Sequence, residues 1–467
     1  MNLVNKYRPS YKKTLILLFL AMAFFCVLFI IYSRKSIYHY NTNADYAYDF
    51  TNSTAIKTEL TLKDGILTLP ESQALNETAF IKIEVNTSFL GNYFQPIITI
   101  SSDDTTSTQY IEHGAKGIRY LNISDFINRE NRELTFTTDK INLKDQTVVL
   151  YEFQNLSFEN ATILVLAPHP DDAEIAAFGL YAKNKHSFVI TITSGDAGPD
   201  TYDEIFKQDT VKQYLEKGKL RTLNSITVPL LGGIPYENSL NLGFFDSTLR
   251  RMHENDTLVV PSVFTKTSDI NTYRKLNVSK LKNGLTGVSN WKSLVQNLKF
   301  LLDTIKPDVI VSPYPLIDYH PDHKYTTIAL IEALKALNIR KGNLLLYTNH
   351  HTVCEYYPFG ETGNAVTLPP YFKDGFYFSS LYSNSLSNSL QQDKLFALEA
   401  QNDLRLDTEW RFSTKLIKTT TVDIVKNILG RKKDYFKRAV RSNELFFVVP
   451  IDKLYSEDVY KKITKAY

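Results

Sequence analysis

The chain has 467 residues, of which 43% are hydrophobic and 22% charged, and Lys+Arg 53 against Asp+Glu 50 leave a net charge of +3. That length implies two or three domains at about 150 residues each; the composition excludes a disordered or collagen-like chain, and the balanced charge offers no basic face for nucleic acid. Two cysteines, Cys26 and Cys354, exclude a disulfide scaffold and a zinc ribbon, so any bound metal must take His and carboxylate ligands.

In chain order, Leu15 to Tyr32 come first, an apolar run without a charge. At 1.5 Å per residue it spans about 27 Å, close to the hydrocarbon thickness of a bilayer. A cleaved signal peptide is the competing reading, but the run ends in Tyr-Ser-Arg-Lys with no small-residue cleavage site. Lys6, Arg8, Lys12 and Lys13 precede the run and only Arg34 and Lys35 follow it, which places the N-terminus in the cytoplasm and the body outside. Residues 1–35 therefore read as a cytoplasmic tail and single transmembrane anchor, and the layout fits a bacterial envelope protein. Residues 36–55, rich in Asn, Ser, Thr and Tyr, read as a polar stalk. From 56 to 155 short alternating runs such as Phe80-Ile-Lys-Ile-Glu-Val, punctuated by Asn, Gly, Asp and Ser, predict a small all-β sandwich, serving as a spacer or a sugar binder.

Near residue 160 the pattern changes. Buried-strand runs at Ile163–Ala167, Phe188–Thr193, Thr257–Val260, Asp308–Val311 and Leu344–Tyr347 alternate with helical stretches over 173–184, 204–218, 290–305 and 324–338. Residues 160–467 thus predict an α/β domain with a Rossmann-like, mainly parallel sheet and flanking helices. The polar insertion 264–290 reads as a lid or a solvated loop, and 438–448 as a strand after a basic turn. In such sheets ligands bind at the carboxyl ends of strands.

Two motifs fall at those ends. Ala167-Pro-His-Pro-Asp-Asp-Ala-Glu174 follows the first strand, and Asp318-Tyr-His-Pro-Asp-His323 follows the strand at 308–311. Asp residues there can also cap free helix N–H groups, but two such motifs at two strand ends are hard to explain as caps. His169 and Asp172, three apart at a helix start, can face one point, and His323 can supply a third ligand, leaving a position open as in catalytic zinc sites. Asp171 is then free as general base on the attacking water. His320, as imidazolium, would face the oxyanion and leaving amine, with Asp322 orienting it. Such a set suits amide hydrolysis with Zn2+, or another divalent ion, since His/Asp sites accept several metals.

These motifs resemble those of the PIG-L/LmbE-type zinc-dependent de-N-acetylases. The resemblance covers roughly 160–350 and includes Thr193-Ser-Gly-Asp-Ala-Gly198 and Leu242-Gly-Phe-Phe-Asp246. It implies His169, Asp172 and His323 as metal ligands, Asp171 as base and His320 at the oxyanion. It also implies Arg221, Asp246, Asp196 and Tyr319 as substrate contacts. The function implied is a membrane-anchored de-N-acetylase acting on an N-acetylglucosamine-type sugar of an envelope glycan, glycolipid or polysaccharide. The alternatives are an amidase of the same superfamily acting on a sugar-linked small molecule, and a glycan-binding protein on a deacetylase scaffold.

Overall fold

A computed structural model describes residues 11–71, 76–199, 202, 205–207, 209–404, 421–422, 424–429 and 435–465. The flanking charges Lys6 and Arg8, and part of the start of the helix predicted over 204–218, lie outside them.

The first element, α1 (Tyr11–Lys35), is one helix long and apolar enough to cross a membrane, and its side chains from Leu15 to Phe29 are exposed. Eight strands follow: β1 (Ile56–Leu62), β2 (Ile66–Thr68), β3 (Asn76–Asn86), β4 (Ile97–Ser102), β5 (Thr105–Tyr110), β6 (Lys116–Asn122), β7 (Glu133–Asp139) and β8 (Gln146–Gln154). They form two four-stranded antiparallel sheets, ordered β1-β8-β3-β6 and β2-β7-β4-β5. Alternate residues point inward, so Ile81, Ile83, Leu121 and Leu150 of one sheet meet Leu67, Ile98, Ile100 and Leu134 of the other in one apolar core.

The expected stalk is not one. Ile37, Tyr38, Tyr46 and Tyr48 are buried, Ala47 N–H bonds to the Tyr371 carbonyl, and the Tyr48 hydroxyl donates to the Pro369 carbonyl at 2.6 Å. Tyr48 lies against Phe376 and Phe447, and Phe50 stacks on Tyr151 at 3.9 Å. Tyrosines outweigh the polar residues around them because each buries a large ring while its hydroxyl finds a partner. This segment thereby fastens the β sheets to the second body.

That second body contains β9 (Ile163–Ala167), α2 (Asp172–Ala182), β10 (Ser187–Thr193), α3 (Thr210–Thr227), β11 (Ser239–Phe244), α4 (Leu249–Glu254), α5 (Asn271–Arg274), α6 (Trp291–Ile305), β12 (Val309–Pro313), α7 (Pro321–Ala336), β13 (Asn343–Tyr347), β14 (Ser380–Ser385), α8 (Asn388–Glu399) and β15 (Asn443–Pro450). Its sheet runs β11-β10-β9-β12-β13-β15-β14; the first five strands are parallel and the last two join antiparallel. All five residues of β9 are buried. Leu164 and Leu166 face the core shared with α6 and α7, while Ile163, Val165 and Ala167 face α2.

Two expectations change here. The run Thr257–Val260 is not a strand: Leu258 and Val259 are exposed. The edge strand is instead β11, whose Asn241 hides it from a hydrophobic pattern; buried, Asn241 donates to the Thr193 carbonyl and bonds to Asn277. The insertion over 264–290 is neither lid nor solvated loop at its centre, since Tyr273, Arg274 and Asn277 are buried beside β11 and Arg274 Nε donates to the Leu242 carbonyl at 2.9 Å.

Candidate metal centre and active site

The carboxyl ends of β9, β11, β12 and β13 place the site. The loop after β9 and the start of α2 deliver His169, Asp171 and Asp172; the loop after β12 and the first turn of α7 deliver Asp318, His320, Asp322 and His323; the loop after β11 delivers Asp246, and the loop after β13 Asn349 and His350.

Three atoms converge. Asp172 Oδ2 lies 3.1 Å from His169 Nδ1 and 3.1 Å from His323 Nε2, and the two nitrogens are 3.3 Å apart. The remaining ring nitrogens fix the tautomers. His323 Nδ1 sits 3.0 Å from Asp318 Oδ2, and His169 Nε2 sits 3.3 Å from Asp246 Oδ1 and 3.4 Å from Asp322 Oδ2. Those nitrogens donate to carboxylates, so the neutral rings turn their lone pairs toward one another and toward Asp172. Asp172 is itself held by the His169 N–H on Oδ2 at 2.9 Å and by Asn349 Nδ2 on Oδ1 at 2.7 Å. Three lone pairs meeting at one point need a cation or extra protons. The triangle fits a metal: donors on a tetrahedral zinc at about 2.0–2.1 Å stand about 3.3–3.4 Å apart.

Without a cation, protons do this work. Burial opposes charge on His323, yet Asp172 and Asp318 push it up to about 10. Burial likewise opposes charge on His169, and Asp246 raises it. Asp318 is fully buried, yet His323 and the Asn349 N–H hold it down at about 2. Around two ring cations stand four buried carboxylates, Asp172, Asp246, Asp318 and Asp322. The surplus of negative charge favours a divalent ion.

Asp171 stands apart from this triangle. Its backbone has φ +148°, and its Oδ2 lies 3.1 Å from Arg221 Nη2. Arg221, expected to touch substrate, is buried behind Asp171 and also donates to the Pro170 carbonyl at 3.1 Å. Gly195, at φ +66°, lets the guanidinium lie against the backbone; a Cβ there would come within 2.8 Å of it. That close approach accounts for the glycine of the Thr193–Gly198 segment.

Other expected residues differ in place. His320 packs edge-on to His169 with centroids 4.7 Å apart. Burial and then the neighbouring His169 and His323 lower it to about 4, which favours the neutral imidazole over the expected imidazolium. Asp322 does not orient His320; its oxygens accept from the Ser247 and Leu249 N–H groups and face His169. Asp246 faces His169 Nε2 rather than open space. Asp196 is enclosed, accepting from Ser194, Ser262 and the Asp246 N–H, and burial pushes it up to about 6, so it supports the Asp246 loop instead of meeting a ligand. Tyr319 stands half-exposed at the rim, 5.7 Å from the His350 ring. Sequence reasoning gave no outer-ligand role to Asp318 and missed Asn349. The signal was a carboxylate five residues before His323, and an amide just past the end of β13.

A buried His/Asp triangle at the carboxyl edge of a mainly parallel sheet, with a separate carboxylate beside it, is a donor set that could hold a divalent metal. Residues 164–334 match the family model for PIG-L, GlcNAc-PI de-N-acetylase. The matched segment contains both His-Pro motifs, at 169–174 and 320–323. No curated protein matches the chain. Among solved structures it is similar to the A40926 pseudoaglycone deacetylase Dbv21, at 16% identity over 62% of this chain and 98% of that one, with a TM-score of 0.33. It is also similar to the zinc-inhibited form of the teicoplanin deacetylase Orf2, at 16% identity over 62% and 98%, with a TM-score of 0.32. A third is a conserved protein from Thermus thermophilus, at 18% identity over 64% and 98%, with a TM-score of 0.29.

Proposed function

We propose that this chain is a membrane-anchored de-N-acetylase that removes acetyl from an N-acetylglucosamine-type sugar of an envelope glycan, glycolipid or polysaccharide. The observation that carries the reading is the convergence of the lone pairs of His169 Nδ1, Asp172 Oδ2 and His323 Nε2 at mutual distances of 3.1–3.3 Å beside a carboxylate, Asp171, that takes no part in it. His169, Asp172 and His323 would hold the metal, zinc being the best match to the donor set. A divalent ion there supplies Lewis acidity, which acidifies water and polarises a carbonyl.

The protein's own groups carry the protons. Asp171 takes one from the attacking water as oxygen bonds to the acetyl carbon. His320, neutral and half-buried, offers a ring N–H to the developing oxyanion. When the C–N bond breaks, Asp171 returns its proton to the sugar nitrogen, and the remaining proton of the attacking water passes from the new carboxylic acid to the amine, leaving acetate and an ammonium group. Arg221 holds Asp171 in line through this exchange. In this reading residues 1–35 form the tail and anchor with the N-terminus in the cytoplasm, 56–155 form the β sandwich as a spacer, and 160–467 the deacetylase domain on the outer side. Residues 36–55 fasten the last two together. The test is acetate release by the full chain in detergent, zinc-loaded, on N-acetylglucosamine glycans and glycolipids, with Asp171→Asn alongside. Release that falls about 10²–10⁴-fold in the variant while zinc stays bound supports the reading; equal release by both would overturn the role of Asp171.

A further inference from the structure

The end of α1 is clamped to the body. Arg34 donates to the Tyr93 and Ile428 carbonyls and lies 4.8 Å over the Tyr93 ring. Lys35 Nζ lies 3.0 Å from Asn92 Oδ1, and Ser33 Oγ lies 3.3 Å from the Leu429 carbonyl. Two apolar surfaces surround this clamp. In the turn at Phe89–Asn92 and just after it, Phe89 is 81% exposed, Leu90 56% and Phe94 46%. In the helical segment 424–428, Ile424, Val425 and Ile428 are about half exposed.

The second surface does not point away from α1. Val425, Ile428 and Leu429 share an almost wholly apolar crevice with Met22, Phe25 and Phe29 of α1. Phe25 precedes Lys35 by ten residues, about 15 Å along a helix. These body residues therefore flank the middle of the apolar helix rather than its end. Exposed apolar clusters of this kind mark a partner. Basic groups border them: Arg34, Lys35, and Lys140, whose Nζ lies 5.5 Å over the Phe94 ring. An apolar patch rimmed by aromatic and basic side chains matches a bilayer's interfacial zone and its anionic headgroups.

We propose that the 89–94 turn and the 424–429 segment seat in the lipid leaflet next to α1, so that the body lies on the membrane surface in a fixed orientation. The inference rests on the anchor reading above, and its partner is the bilayer itself. The experiment uses the full chain in phosphatidylcholine/phosphatidylglycerol vesicles, with Cys26→Ala to remove the exposed thiol; Cys354 is buried. Single cysteines, Leu90→Cys, Ile428→Cys, Leu20→Cys and Val278→Cys, carry an environment-sensitive fluorophore, and spin-labelled lipids quench it. Circular dichroism checks each fold. Expected is a blue shift and strong quenching at 20, 90 and 428, with none at 278. Quenching at 20 alone would overturn the proposal and leave the anchor intact; no quenching at 20 would overturn both. A blue shift at 90 and 428 without lipid quenching would mean that protein, such as a second copy, covers the patch, and would also overturn it.

Discussion

Asp318→Asn separates an outer-ligand carboxylate from a merely buried one. In the wild type, Asp318 Oδ2 accepts from His323 Nδ1 at 3.0 Å and from the Asn349 N–H at 3.0 Å, and Oδ1 from the His320 N–H at 3.1 Å. The amide keeps the shape and one acceptor but loses the charge that fixes the His323 tautomer. Outer carboxylates of this kind contribute about 10–100-fold to metal affinity, which is about 1.4–2.7 kcal/mol. In the metal-free protein the effect has a pH signature. The Asp318 carboxyl is lowered from 3.8 to about 2, so its ionised form stabilises the fold by up to about 2 kcal/mol, fully present above pH 3.8 and lost as pH falls toward 2. Chelator competition measures the affinity, and urea unfolding of the apo protein at pH 7 measures the stability. An unchanged zinc affinity with a normal fold would refute the outer-ligand assignment. A stability loss without an affinity loss would reduce Asp318 to a packing role.

Three further changes test neighbouring claims. Gly195→Ala places a methyl within 2.8 Å of the Arg221 guanidinium at φ +66°; it should lower kcat with zinc stoichiometry unchanged, and cost roughly 1–3 kcal/mol of stability, read by single-turnover assay and urea unfolding. Glu174 is buried, accepts from Tyr181 and Gln401, and is pushed up from 4.5 to about 7, chiefly by burial. Its folded state favours the protonated form, so the associated stability is present below pH 4.5 and lost as pH rises through 7; Glu174→Gln should flatten that limb, gaining up to about 3 kcal/mol near pH 8 relative to wild type. Phe447→Ala empties the ring cluster of Tyr48, Tyr314, Phe376 and Phe378; calorimetry should show a loss of about 3–5 kcal/mol. A smaller loss would mean that the cluster collapses around the gap.

The meeting of His169, Asp172 and His323 was legible because each half is local. His169 and Asp172 are one tight turn apart, and His323 lies in the first turn of the helix that follows β12, so type and spacing were enough to bring them together. Asp322 misled because sequence adjacency is not spatial adjacency. Successive helical residues diverge by about 100°, which sends Asp322 toward α4 and the back of His169 while His323 turns inward. Asn349 was invisible for the opposite reason. It reaches Asp172 from 177 residues away only because β13 lies parallel to β12 and ends at the same level. The buried tyrosines of residues 36–50 show the same limit, since a polar composition conceals rings such as Tyr48, whose hydroxyl partner lies more than 300 residues ahead.

Asp171 also decides between the two readings of the Pro-Asp-Asp motif. An aspartate at the first position before a helix ordinarily accepts an N–H of the first turn, which is worth about 1 kcal/mol, and it does so at negative φ. Asp171 occupies that position before α2, and its carbonyl accepts from the Ile175 N–H, yet its side chain makes no capping bond. It instead holds φ +148°, a conformation that costs of order 1–3 kcal/mol, and turns its carboxylate to Arg221. A helix start selected for stability would show neither feature. The strained backbone lets two consecutive aspartates serve different ends, Asp172 turned to the imidazoles and Asp171 kept clear of them. That separation suits the proposed chemistry, because a carboxylate that also ligated the ion would lose electron density to it and become a weaker base toward the water proton.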